Sequence, residues 1–178
     1  MTVSKWTLDN AHSNVDFSLR HMMVSKVKGS FNDFSAEIEA DPNDLTTANL
    51  TFTIDVASID TRNADRDAHL RSGDFFDVEQ FPNLTFTSTK IEKQGGDKYA
   101  VTGDVSLHGV TKPETFTVTF EGVAKDPMSG AEKAGFSVDG TIKRSEYGLT
   151  WNAALETGGV LVGDDVKVSL EIQAAKEA

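Results

Sequence analysis

Leu50-Thr51-Phe52-Thr53-Ile54-Asp55-Val56 alternates apolar and polar side chains without a break. Successive side chains of an extended chain point to opposite faces, so Leu50, Phe52, Ile54 and Val56 share a dry face and Thr51, Thr53 and Asp55 a wet one. The same period recurs on both sides of this stretch. Toward the N-terminus, a short strand is predicted around Trp6 and Leu8. Val15, Phe17 and Leu19 then alternate with Asp16, Ser18 and Arg20, and Phe34, Ala36 and Ile38 alternate up to Asp41-Pro42-Asn43, where proline ends the run. Toward the C-terminus, apolar sets fall at Leu84 and Phe86; at Tyr99, Val101, Val105 and Leu107; at Phe116, Val118 and Phe120; and at Phe136, Val138 and Ile142. A last strand draws on Val160, Val162, Val166, Val168, Leu170 and Ile172, with the closing AAKEA expected to fray. Gly95-Gly96 suits a hairpin turn, and Gly158-Gly159 reads as another turn.

Residues 58–76, SIDTRNADRDAHLRSGDFF, abandon the alternation. A short helix is predicted over 61–72, capped by Thr61 and stopped by Gly73. Asp67 with Arg71, and Asp65 with His69, fall one turn apart and are expected to pair along its surface. Such pairs contribute only about 0.2–0.5 kcal/mol each, so the helix must dock, with Phe75 and Phe76 as anchors. Residues 144–149 break the pattern a second time, as one helical turn.

About eight antiparallel strands joined by short turns fit an up-and-down barrel or a sandwich. One apolar face per strand implies a single shared interior, and closure removes exposed sheet edges, which favours the barrel. A chain of 178 residues is expected to form one domain, 1–178. Glycines at inward-phase positions, Gly103 and Gly140, leave gaps among phenylalanines, so a tunnel and a filled core are both compatible with the periodicity.

The net charge of −11 repels nucleic acid, and no stretch is apolar and long enough for membrane insertion. The absence of cysteine excludes disulfides and thiolate chemistry. With Met1 as the start, no signal core precedes Trp6 and a cytoplasmic protein is expected. The four histidines, His12, His21, His69 and His108, show no HxH or HExxH spacing, and no GxSxG elbow occurs. No cofactor, metal or catalytic residue is expected.

Several blocks resemble the YceI-like family of lipocalin-like polyisoprenoid-binding proteins. They are Trp6-Thr7-Leu8-Asp9, His12-Ser13, Arg20-His21, Arg66-Asp67-Ala68-His69-Leu70-Arg71-Ser72, Asp74-Phe75-Phe76-Asp77, Phe81-Pro82, His108-Gly109-Val110-Thr111-Lys112-Pro113 and Arg144-Ser145-Glu146-Tyr147-Gly148-Leu149. The resemblance implies an extended eight-stranded antiparallel barrel with a helical segment, often dimeric, enclosing a long isoprenoid or other amphiphilic chain. It looks closest to leaderless Gram-positive members.

By phase, the candidate lining of such a tunnel is Phe17, Leu19, Phe52, Ile54, Phe86, Val101, Val105, Phe116, Val118, Phe120, Val138 and Ile142, with Phe75, Phe76 and Trp151 near the helical elements. Candidate mouth residues are His12, Arg20, His21, Arg66, His69, His108, Lys112 and Arg144, since a pyrophosphate or quinone oxygen needs donors and arginine offers a planar fork. A stress-related structural protein with a filled barrel and a lipid-modifying enzyme remain as alternatives.

Overall fold

The computed structural model describes residues 3–22, 24–152 and 162–177. Their strands are β1 (Ser4–Leu8), β2 (Asn14–His21), β3 (Ser25–Phe31), β4 (Phe34–Asp41), β5 (Asp44–Asp55), β6 (Ile59–Asp60), β7 (Asn83–Gly95), β8 (Lys98–Leu107), β9 (Val110–Lys125), β10 (Glu132–Lys143) and β11 (Asp165–Lys176). One helix, α1 (Ala64–Arg71), lies between β6 and β7. Val160 and the Gly158-Gly159 turn lie outside the described residues.

All the strands join one antiparallel sheet, which closes where β11 meets β1. The barrel has eight wall positions because its first two are interrupted. β11 pairs with β2 through residues 167–171 and with β1 through 174–176, so β1 and β2 are two halves of one wall strand. A turn of 3-10 helix, Asn10–His12, separates them, and Asp9 caps it by accepting from the Ala11 amide. β3 and β4 continue the division, pairing with β2 and β1 respectively. The two-residue β6 extends the edge of β3.

The strand predictions carry over to this wall except at the last strand, where Val162 precedes β11 and makes only an isolated bridge to His21; Phe52 and Ile54 of the alternating stretch are buried inside the wall. Val56 ends that stretch in a 3-10 turn and is fully buried. The C-terminal prediction does not hold. Ala174 and Ala175 belong to β11, held between β10 and β1, and Ala174 is 1% exposed. Small side chains that look like a tail are what a crowded seam requires.

The helix is shorter than predicted and its caps are different. Asn63 is the N-cap, its side chain accepting from the Arg66 amide at 3.0 Å, and Ser72 is the C-cap with an extended backbone. Gly73 does not adopt a left-handed conformation. Thr61 is instead buried, donating both its amide and its hydroxyl to Asp67 Oδ1, at 3.0 and 2.5 Å. That use of Asp67 removes the expected pair with Arg71, whose guanidinium donates to the carbonyls of Ala57 and Ile59. His69 pairs with Asp74 at 2.9 Å, not with Asp65. Phe75 and Phe76 do anchor the segment: Phe75 is 7% exposed, and Phe76 packs edge-on to Phe31 at 6.1 Å. Residues 144–147 form the second helical turn, ended by Gly148 at a φ of 76°.

The inward glycines do not leave gaps. A Cβ on Gly103 would lie 2.5 Å from the Phe86 ring, one on Gly140 2.3 Å from Phe116, and one on Gly29 2.5 Å from Phe17. In each case the glycine makes room for a ring on a neighbouring strand to lie along the wall.

Candidate binding cavity

Registers define the two poles of the barrel. The C-terminal ends of β2 and β10 and the N-terminal ends of β3, β9 and β11 share one pole with α1; the N-terminal ends of β1, β5 and β10 share the other. A cavity of about 670 Å³ runs between them, lined at the helix pole by Arg66, His69 and Arg144 and at the far pole by Ala40, Leu45 and Ala48. The barrel is therefore not filled by its own side chains. Of the candidate lining and mouth residues, Phe17, Leu19, Arg20, His21, Phe52, Ile54, Arg66, His69, Phe75, Phe76, Phe86, Val101, Val105, Phe116, Val118, Val138, Ile142, Arg144 and Trp151 all border it.

Four candidates do not. Phe120 stacks on Phe136 at 5.4 Å, behind the lining. His108 faces Phe81 at 4.8 Å and hydrogen-bonds through Nδ1 to the Tyr147 carbonyl, bracing the turn at residues 144–147. Lys112 pairs with Glu146 at 2.9 Å, and His12 with Asp9 at 2.8 Å. Sequence reasoning missed the far pole, where Ile38, Ala40, Leu45, Ala48 and Tyr99 border the space, and also Thr61, Asn63 and Asp65 beside the helix. Ile38 was legible by phase; Leu45 and Ala48 precede the clear alternation and carried no signal.

Polarity is concentrated at the helix pole. Arg66 donates from Nε to Thr61 Oγ1 at 2.8 Å and from a terminal nitrogen to the Thr61 carbonyl at 2.6 Å, which orients it across the mouth. Arg144 is 6% exposed and donates to the carbonyls of Gly163, Leu149, Trp151 and Val162, at 2.7 to 3.1 Å. Burial draws its pKa below the ordinary arginine value, partly opposed by the Asp164 carboxylate. The side chains of Arg20 and His21 make no hydrogen bond or ion pair among the described residues. His69 packs edge-on against Phe75 at 5.1 Å and Trp151 at 5.0 Å. Arg20, Arg66 and Arg144 bring guanidinium groups to this pole, with Asp16 and Asp65 also bordering the cavity.

Among the described residues no three His, Cys, Asp or Glu side chains converge as a metal site, and no helix is long and apolar enough to cross a membrane.

The described residues thus form a closed eight-stranded antiparallel barrel with one short helix, hollow inside and with hydrogen-bond donors at one pole. The YceI-like domain signature matches residues 6–174, and the chain belongs to that family. A UPF0312 protein of Staphylococcus aureus is 47% identical over 165 residues, 93% of this chain and 94% of that one. Among solved structures, Burkholderia cenocepacia BcnA superposes with a TM-score of 0.82 at 28% identity, covering 93% of this chain and 98% of that one. The Campylobacter jejuni YceI protein gives 0.75 at 37% identity, covering 89% and 90%. A polyisoprenoid-binding domain from Saccharophagus degradans shares the fold, with a TM-score of 0.72 at 15% identity, covering 99% and 100%.

Proposed function

We propose that this protein binds a long-chain isoprenoid, of polyprenyl or isoprenoid-quinone type, or a similar amphiphilic lipid, and stores or carries it without catalysis. The apolar chain occupies the barrel and the polar head lies at the helix pole among Arg20, Arg66, His69 and Arg144. The observation that carries this reading is an elongated, mostly apolar cavity, about 670 Å³, with donors gathered at one end. That volume falls in the range of about 300–1,000 Å³ usual for small-molecule sites. The named ligand class of the Saccharophagus degradans relative adds support.

Burying each methylene is worth about 0.8 kcal/mol against water, yet a bilayer offers the same tail an equally apolar refuge. Transfer from membrane to barrel is thus close to neutral for the tail, and selectivity rests on head-group donors and cavity shape. The carrier acts in the cytoplasm as a homodimer.

Solvent extraction of natively purified protein, followed by mass spectrometry, tests the reading. A stoichiometric long-chain lipid is the expected result. Protein that is repeatedly recovered empty, and that takes up no prenyl alcohol or quinone from micelles, would overturn it.

A further inference from the structure

At the far pole of the cavity two alanines and Leu45, flanked by Ile38 and Tyr99, sit in front of a packed backing. Ala40 on β4 and Leu45 and Ala48 on β5 border the space there. Behind them, outside the lining, Trp6 is 4% exposed and packs in one cluster with Ala40, Leu45, Ala134 and Ala174. Its indole N–H donates to the Ala40 carbonyl at 3.2 Å, which fixes the ring to the strand that carries the alanine. Phe136, which borders the cavity, packs against the same cluster and carries Phe120 stacked on it at 5.4 Å. A floor of this kind cannot recede when a longer guest arrives, because close-packed interiors transmit strain instead of yielding.

We infer that Ala40, Leu45 and Ala48 form a chain-length stop for the lipid proposed above, on which reading the inference rests. With the head held at the helix pole, the distance to these three side chains decides how many isoprene units fit. The site measures length by its depth, while the arginine pole recognises the head. Enlarging an alanine shortens the space by about one branched-carbon group, and shrinking Leu45 extends it.

The experiment is a competition. Purified wild-type protein and the variants Ala40→Val, Ala48→Leu and Leu45→Ala are each offered an equimolar mixture of all-trans prenyl alcohols of increasing length, and the bound species are read by native mass spectrometry. Ala40→Val and Ala48→Leu are expected to move the preferred length one unit shorter, with at least a tenfold loss of the longest alcohol bound by wild type and little change for the shortest. Leu45→Ala is expected to move it one unit longer. Because the substitutions act in opposite directions, a variant that fails to fold leaves the others to decide. A wild type that binds, with variants that fold and keep its preferred length or lose all lengths equally, overturns the stop alone. A wild type that takes up no alcohol of any length overturns the lipid reading and the stop together.

Discussion

The ring of Phe116 on β9 lies over the backbone of Gly140 on β10, so closely that a Cβ there would come within 2.3 Å of it. Phe116 also meets Phe86 edge-on at 5.5 Å, and Phe86 has its own glycine at Gly103. Rings hosted by the wall in this way do not need the centre of the barrel, and both border the cavity.

Gly140→Ala should force the Phe116 ring inward and destabilise the barrel by about 1–3 kcal/mol, the usual range for overpacking. Urea denaturation measures the loss. In a Phe116→Ala background the same substitution should cost much less, and a double-mutant cycle showing no coupling would refute the wall-hosting account.

Arg144→Lys should be poorly tolerated although charge is kept. One ammonium cannot reach four carbonyls that a planar guanidinium meets from several sides. Stranded buried carbonyls should lower stability by about 2 kcal/mol or more, read as a drop in urea midpoint at unchanged slope.

Tyr147 is fully buried, and its hydroxyl donates to Glu114 Oε2 at 2.5 Å. Burial raises the phenol pKa strongly, and the Glu114 carboxylate raises it further. A pKa raised on folding gives stability that is complete below the unfolded phenol value near ~10 and is lost as pH rises beyond it. Tyr147→Phe should cost about 1 kcal/mol at neutral pH through the lost hydrogen bond, and should flatten the alkaline limb of a stability profile.

Asp9 behaves oppositely. The hydrogen bond from His12 lowers its pKa against some burial, assisted by the charges of His12 and Lys133 and by the Ala11 amide. Its contribution is complete above the unfolded carboxylate value of about 3.9 and is lost as pH falls through the lowered folded value. Asp9→Asn should therefore unfold less steeply with acid than wild type below about pH 4, as followed by circular dichroism.

The wall was legible because its information is local. Periodicity of two assigns Phe52, Ile54, Val101, Val105 and Ile142 to the inner face with no knowledge of which strands pair. The helix caps were not legible, because Thr61, Asn63 and Ser72 can all cap and only tertiary demand chooses among them. Thr61 is withdrawn by Asp67 and Arg66, which leaves Asn63 the task. His69 and Arg71 likewise bond outside the helix because Asp74 and the carbonyls of Ala57 and Ile59 are nearer their tips than any neighbour one turn away. Gly103 and Gly140 were read as voids because pattern records a missing side chain, not the ring from another strand that occupies its place. The separate strands at Trp6–Leu8 and Val15–Leu19 were legible, but that they share one wall position was not, since this depends on β11, more than 150 residues later.

That late partner has a consequence for how the protein is made. β11 joins β10 to both β1 and β2, so until residues 165–176 leave the ribosome the nascent sheet is an open trough with its oily side uncovered. Chaperones or a membrane surface would meet that trough first, and an enclosed cavity exists only once synthesis has reached the final staves and the cask is shut.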